Sequence, residues 1–169
     1  MELISSDTNI WIDFDFIGCL DEPFKLKNEY KYLMSADALR DEILSPPELG
    51  EKLVGLGLEA VEITETEYML VTEYGEKYSQ LSVYDRIALS IAASRQIKLL
   101  SGDKALRIAA KKENVEVHGT LGLLDMLLLA GKIDKSRYID ILSSMKNFNG
   151  SRIRLPEKEI EKRLKCSLS

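Results

Sequence analysis

Four acidic residues have the types and the predicted positions that joint metal binding requires: Asp7, Glu42, Asp85 and Asp103. Carboxylates that converge raise one another's pKa unless a divalent cation neutralises them. Their hard oxygen atoms suit Mg²⁺ or Mn²⁺ rather than zinc. Such a cation lowers the pKa of bound water and holds a phosphate oxygen, so this set of acids points to phosphodiester hydrolysis.

Asp85 is the acid whose surroundings most need an explanation. It lies in a predicted helix, and its neighbours three, four and seven residues onward are Ala88, Leu89 and Ala92. A carboxylate that faces an apolar interior is costly unless it is paired or binds a metal. Because Ser82 and Asp85 have the spacing of a capping box, a purely structural role is the alternative.

Alternating and apolar runs predict five short strands separated by helical patterns. The predicted strands are 2–6, 30–35, 58–63, 97–100 and 115–117. Helices are predicted over 36–44, 64–78, 82–96, 104–112, 121–130, 134–147 and 157–165, with shorter helical turns within 10–17, 22–30 and 47–57. Strands that alternate with helices favour a parallel α/β sheet.

This sheet would bring the four acids to one edge. Asp7 and Asp103 directly follow strands, and Glu42 and Asp85 lie on helices beside strand ends. Ligands bind at the carboxyl ends of the strands in open parallel sheets. Each acid also has an ordinary alternative role, since Asp7 and Asp103 could only cap helices and Glu42 could be a half-exposed helix residue.

Length and composition indicate one globular domain. The chain has 169 residues, 45% of them hydrophobic and 30% charged, which suits a folded protein rather than a disordered one. No apolar run approaches the ~20 residues that cross a bilayer, and the amino terminus lacks a signal-like segment, so we expect a cytoplasmic protein. The net charge of −5 argues mildly against a nucleic-acid binder, although clustered acids can cause it.

Several other chemistries lack their residues. Cys19 and Cys166 stand far apart in unrelated contexts, which argues against a disulfide framework. His118 is the single histidine, so zinc sites and serine hydrolases are unsupported, and we interpret it as a surface or packing residue. Asp13 and Asp15 resemble the Asp-x-Asp of haloacid-dehalogenase-type phosphatases, but no strand directly precedes them, which makes a phosphatase the third hypothesis.

The order and spacing of five motifs resemble the PIN-domain family, which includes the VapC-type toxin ribonucleases. The motifs are SDTN at 6–9, LRDEI at 39–43, LSVYDRIAL at 81–89, LSGDKALR at 100–107 and GTLGLL at 119–124. The resemblance covers residues 3 to about 132. The sequence departs from it in Asp41, which leaves the second acid ambiguous, and in the acidic segment 21–29, which aligns with nothing.

The resemblance implies a central parallel five-stranded sheet of order 3-2-1-4-5 flanked by helices. It also implies cleavage of single-stranded RNA that depends on Mg²⁺ or Mn²⁺. By position, the four acids match the family's acidic quartet. Asp7 and Asp85 would bind the metal most directly, with Asp103 as a further ligand. Glu42 and Asp103 would support the metal or orient its water.

The resemblance also extends to residues around the acids. Asn9 and Ser101 match polar positions that brace the site. Arg86, Lys104 and Arg107 are candidate contacts to RNA phosphates, although solubility alone would explain charged residues at these positions.

The expected partners are an RNA substrate, an antitoxin protein and a second copy of the chain in a homodimer, with no membrane. We predict a PIN-like domain over 1–150 and a basic tail with a short helix over 151–169, in the same domain. The basic run is interpreted first as a solvated face and second as a contact for RNA or a partner. A catalytically silent PIN-like module that binds RNA or a protein is the alternative function, because the chain is acidic.

Overall fold

The computed structural model describes residues 1–43 and 47–169, in which helices alternate with short strands. The strands are β1 (Glu2–Ser6), β2 (Tyr30–Ser35), β3 (Glu59–Val61), β4 (Lys98–Leu100) and β5 (Val117–His118). The α-helices are α1 (Thr8–Phe16), α2 (Ala36–Asp41), α3 (Leu49–Leu56), α4 (Glu65–Lys77), α5 (Val83–Arg95), α6 (Lys104–Lys112), α7 (Thr120–Leu129), α8 (Lys135–Phe148) and α9 (Glu157–Leu168), and a 3-10 helix covers Glu22–Leu26. None of the helices in these ranges combines the length and the apolarity that a bilayer crossing requires.

The five strands form one sheet in the order β3-β2-β1-β4-β5, and every neighbouring pair is parallel. β1 lies in the centre, where Ser6 is opposite Leu100 of β4. The strand order reverses between β1 and β4, which is the position where α/β sheets open a crevice at their carboxyl edge. The predicted fold class and strand order are confirmed.

Short polar side chains begin most of the helices by accepting a backbone N–H of the first turn. They are Asp7, Ser35, Thr64, Ser82, Asp103 and Asp134. Thr64 and Ser82 form complete capping boxes with Glu67 and Asp85, as their spacing predicts. Because Asp7 and Asp103 cap helices that follow β1 and β4, the same local rule fixes both carboxylates at the carboxyl edge of the sheet.

Each face of the sheet has its own apolar layer. On one face Trp11 stacks on Phe24 with ring centroids 5.3 Å apart and meets Tyr32 edge-on at 5.1 Å. On the other face α4, α5 and α6 pack together. Leu100 belongs to the aromatic layer and Leu99 to the helical one, as expected for successive residues of a strand. The two layers hold the strand ends in fixed register.

Several predicted boundaries differ from those observed by one to three residues. The helix predicted over 36–44 ends at Asp41, and Glu42 caps it by donating its N–H to the carbonyl of Ala38. Residues 44–46, which include the predicted last residue of this helix, lie outside the described residues. The last strand begins at Val117 rather than 115, because Asn114 takes a positive φ of 59° in the turn that precedes it.

The carboxyl-terminal segment packs on the rest of the chain. Ile153 and Ile160 are fully buried, and α9 lies against α8. Asn149 holds the intervening loop by accepting the Leu155 N–H at 2.8 Å and donating to the Leu155 carbonyl at 3.0 Å. The segment after α8 is therefore folded onto the domain rather than extended from it.

Candidate functional site

Ser101 joins two of the predicted acids at the junction of β1 and β4. The Asp7 N–H donates to the Leu100 carbonyl at 2.9 Å, which continues the pairing of the two strands by one residue. The Ser101 hydroxyl then donates to Asp7 Oδ2 at 3.1 Å, and the Asp103 N–H donates to Ser101 Oγ at 3.1 Å. The Ser101 hydroxyl therefore links Asp7 to the backbone of Asp103.

Asp85 and Asp103 both act as helix caps through one carboxylate oxygen. Asp85 Oδ2 accepts the Ser82 N–H at 2.9 Å, and Asp103 Oδ1 accepts the Leu106 N–H at 2.8 Å. Both carboxylates also lie close enough to Asp7 to act on its ionisation. The structural role and the site role are thus compatible, because a carboxylate that caps with one oxygen can present the other.

Glu42 completes the group of acids. The Tyr84 hydroxyl donates to Asp41 Oδ2 at 2.9 Å and ties the end of α2 to the start of α5. Arg40 also pairs with Asp41, and the Arg40 and Tyr84 hydrogen bonds lower the pKa of Asp41. Asp41 is therefore engaged in surface contacts, and Glu42 is the acid whose charge interacts with Asp7 and Asp85.

Burial and the charges of neighbouring acids together raise the pKa of two acids at this edge. Burial raises the pKa of Asp7 to about 6, with a further increase from the charges of Asp85 and Asp103, although the Thr8 N–H and the Ser101 hydroxyl partly offset it. Burial raises the pKa of Glu42 to about 7, and the charges of Asp7 and Asp85 add to it. The site therefore holds excess negative charge that a bound cation would relieve.

The donor chemistry of this edge fits a hard divalent cation. Carboxylates come from three of the elements next to β1, and within the described residues no basic side chain lowers the pKa of Asp7 or Glu42. Within residues 1–43 and 47–169, however, no three His, Cys, Asp or Glu side chains are already gathered as a metal cluster. Asp85 and Asp103 each use one carboxylate oxygen as a helix cap, so metal binding would use their second oxygens.

The other predicted contacts differ in position. Asn9 is exposed in the first turn of α1. Arg86 lies against α4, where its guanidinium is within 3.5 Å of the Val71 carbonyl, and a β-carbon at Gly75 would collide with it. Lys104 and Arg107 line a groove that begins beside Asp103.

Two acids that the sequence left unexplained have structural partners. Asp13 lies within α1 and accepts the Thr120 hydroxyl at 2.7 Å, so it does not follow a strand as a phosphatase aspartate would. Asp125 pairs with Arg163 at 2.8 Å and accepts the Tyr138 hydroxyl. Neither contact had a sequence signal, because each joins residues of different helices.

The arrangement of the strands agrees with a comparison against family models. A model described as a PIN domain matches residues 3–167. The chain belongs to the PIN-domain family. Comparisons with curated proteins and with solved structures gave no match. PIN domains are generally nucleases that use divalent metals, so the chain has a nuclease-type fold, and the family predicted from the motifs is confirmed.

Proposed function

We propose that this PIN-domain protein is an endoribonuclease that cleaves single-stranded RNA and depends on Mg²⁺ or Mn²⁺. One observation carries the proposal: Asp7 and Glu42 lie at the carboxyl edge of the sheet with pKa values raised to about 6 and about 7, partly by neighbouring acids. Uncompensated acids of this kind cost stability, and they cluster where a protein binds a cation or moves protons.

Asp7, Asp85 and Asp103 would hold the metal. When bound, the metal would neutralise the acids, polarise the phosphate and lower the pKa of water. Ser101 would keep Asp7 and Asp103 oriented through its two hydrogen bonds. Glu42 would orient the attacking water and take its proton at a carboxylate oxygen, because an acid with a pKa of about 7 exchanges protons near neutral pH.

A toxin role, with an antitoxin partner, follows from the resemblance to the VapC-type proteins and is part of the proposal, as is a homodimer. The antitoxin partner and the homodimer can each be tested with the purified protein. An antitoxin partner should suppress cleavage by the purified protein, and a homodimer should appear as twice the 19.1 kDa chain mass in light scattering.

The second candidate is a catalytically silent PIN-like module that binds RNA or a protein. The observation in its favour is that Asp85 and Asp103 serve as helix caps and that no ready metal cluster occurs in the described parts of the chain. The two candidates differ in whether clean protein turns over RNA when Mn²⁺ is added.

The deciding experiment is Mn²⁺ titration calorimetry with RNA cleavage measured on the same samples of wild type and Asp85→Asn. Asp140→Asn is the matched control, because Asp140 is an exposed aspartate of α8. We expect binding and cleavage in wild type and the control, and loss of both in Asp85→Asn. Cleavage that persists in Asp85→Asn would exclude this site, and Mn²⁺ binding to wild type without turnover would favour the silent module.

A further inference from the structure

An open groove of about 910 Å³ starts next to the proposed site and runs between α6, the start of α7 and the carboxyl-terminal segment. Gly102 and Lys104 line its near end, on either side of Asp103. Arg154 and Leu155 line its far wall. The groove is therefore continuous with the carboxyl edge where the acids meet.

One wall is a basic stripe on α6. Lys104, Arg107 and Lys111 are spaced at three and seven residues, which puts them on one face of the helix. The stripe begins one residue after Asp103 and leads away from it for roughly 10 Å. Arg107 lies over the backbone of Gly119, since a β-carbon there would collide with its guanidinium.

The groove contrasts with the acidic chain around it. Its lining has five lysine or arginine residues and two acids, Asp125 and Glu159. Both acids pair with one of the five, Arg163. The other four form no ion pair with the described residues. A protein with a net charge of −5 thus has one groove with a clear excess of positive charge.

The far wall is a built surface rather than a loose tail. Asn149 closes the loop through its two hydrogen bonds to Leu155, and Ile153 anchors it in the interior. Arg154 lies between Ile153 and Leu155 and is exposed to the groove. Arg154 and Lys111 therefore stand on opposite walls, away from the acids.

We propose that this groove binds the backbone of the single-stranded RNA that flanks the cleaved bond, with Lys104 and Arg107 at phosphates near the site and Lys111 and Arg154 at phosphates farther along. The proposal rests on the ribonuclease function, because that chemistry identifies a polyanion as the occupant. Unpaired cations in a row suit successive phosphates. The apolar side chains of Leu121 and Leu155 in the lining suit bases that are not paired.

The test measures RNA binding in EDTA, so that no cleavage or metal is involved. A labelled oligouridylate of about twelve nucleotides is titrated with wild type, with Lys111→Glu/Arg154→Glu and with Lys27→Glu/Lys135→Glu. The last pair is the matched control, since both lysines are exposed and follow elements that end at the amino edge of the sheet. Thermal melts establish that each variant is folded.

We expect the groove variant to raise the Kd roughly ten-fold or more, while the control changes it less than about two-fold. The slope of log Kd against log salt should also fall by about 1.4, as expected for two lost phosphate contacts on a single strand. Lys111→Gln/Arg154→Gln should give an intermediate effect, which separates charge from misfolding.

Equal binding by the groove and control variants would overturn the groove proposal and leave the ribonuclease function to the Asp85→Asn test. Binding of an oligoglutamate peptide instead of RNA, with the same sensitivity to Lys111 and Arg154, would overturn it in favour of an acidic protein partner. RNA binding in the groove by a protein that fails to cleave with Mn²⁺ would support the groove and overturn the enzymatic proposal.

Discussion

Two buried carboxylates of this protein have opposite electrostatic surroundings. Asp7 is 5% exposed and Glu67 is 1% exposed. Burial raises the pKa of Asp7 to about 6, and Asp85 adds to the increase. Burial opposes the ionisation of Glu67 as well, but Arg95 and the Thr64 N–H outweigh it, so that its pKa is lowered. Similar burial therefore gives opposite shifts, depending on the partners.

The difference separates structural acids from candidate functional ones. Arg95 donates two hydrogen bonds of 2.6 and 3.1 Å to the Glu67 carboxylate, and the pair joins α4 to α5. A fully paired carboxylate has no remaining need for a cation. Asp7 has hydrogen-bond donors but acidic neighbours, which is an arrangement that folding alone does not favour. The comparison predicts that substitutions at the two sites will affect different properties.

The largest expected effect is on cleavage. Asp7→Asn removes a charge that the metal requires and should reduce RNA cleavage by ~1000-fold. Glu67→Gln, on the far side of α5 from the acids, should keep cleavage within about two-fold at a temperature where it is folded. The measurement is single-turnover cleavage with Mn²⁺. Similar losses in both variants would mean that the two acids do not differ in role.

The next effect is on metal-linked stability. A metal at 100 times its Kd should stabilise wild type by about 2.7 kcal/mol, and Asp7→Asn should lose most of this gain. Metal binding near pH 7 should also release about half a proton or more, since Asp7 must be ionised to bind the metal and the metal charge would lower the pKa of the neighbouring Glu42. Calorimetry in two buffers of different ionisation enthalpy gives the proton count. Zero release would contradict the raised pKa values.

Loss of the ion pair between Glu67 and Arg95 should lower the stability of the metal-free protein. Glu67→Gln leaves the Arg95 guanidinium without its charged partner and should lower the free energy of unfolding by about 2 kcal/mol. The loss should diminish at acid pH, because the lowered pKa of Glu67 gives stability that disappears as pH falls through the folded-state value. Urea unfolding measures it, and Glu65→Gln, an exposed acid of the same turn, is the control.

The smallest expected effect is an increase in the free energy of unfolding, whereas loss of the Glu67–Arg95 pair decreases it. Asp7→Asn should raise the free energy of unfolding by about 1 kcal/mol at pH 8 in EDTA, because ionised Asp7 is disfavoured in the fold. Because the pKa of Asp7 is raised, its contribution to the stability of the wild type is fully present below pH 3.8 and is lost as pH rises through about 6. The advantage of the variant should therefore vanish at low pH. A variant that is equally destabilised at both pH values would instead show that Asp7 matters as a hydrogen-bonding cap.

Much of the fold followed from local sequence rules. Strand β2, helix α6 and both capping boxes have the predicted residues, because period, capping spacing and turn residues act over a few positions. The end of α2 was misjudged by the same reasoning. The helix was predicted to run to residue 44, before the prolines, whereas it ends at Asp41, where Tyr84 of a distant helix binds it.

The candidate site was predictable as a set of residues but not as a geometry. Strand order and strand ends predicted that four acids share one edge of the sheet. In the structure, burial and then the charges of Asp85 and Asp103 raise the pKa of Asp7, and burial and then the charges of Asp7 and Asp85 raise that of Glu42, but the role of the four acids as a site stays a prediction. The sequence could not predict that Arg86 would lie on α4, nor that Asp41 would be engaged by Tyr84 across 43 positions. Such contacts depend on packing between helices, which leaves no periodic trace. The roles of Asn9 and of the boundary at residue 150 stay predictions.

The pairing of β1 with β4 determines when, during synthesis and folding, the candidate site is assembled. Asp7 and Ser101 are separated by 94 positions and come together only when β4 aligns beside β1. Contacts of such sequence separation form late, because the entropy of closing the loop must be overcome first. A chain still emerging from the ribosome, with α5 made and β4 missing, would contain Asp7, Glu42 and Asp85 but not Ser101, whose hydroxyl orients Asp7. Nuclease chemistry at this edge would thus be withheld until most of the chain has been synthesised and folded.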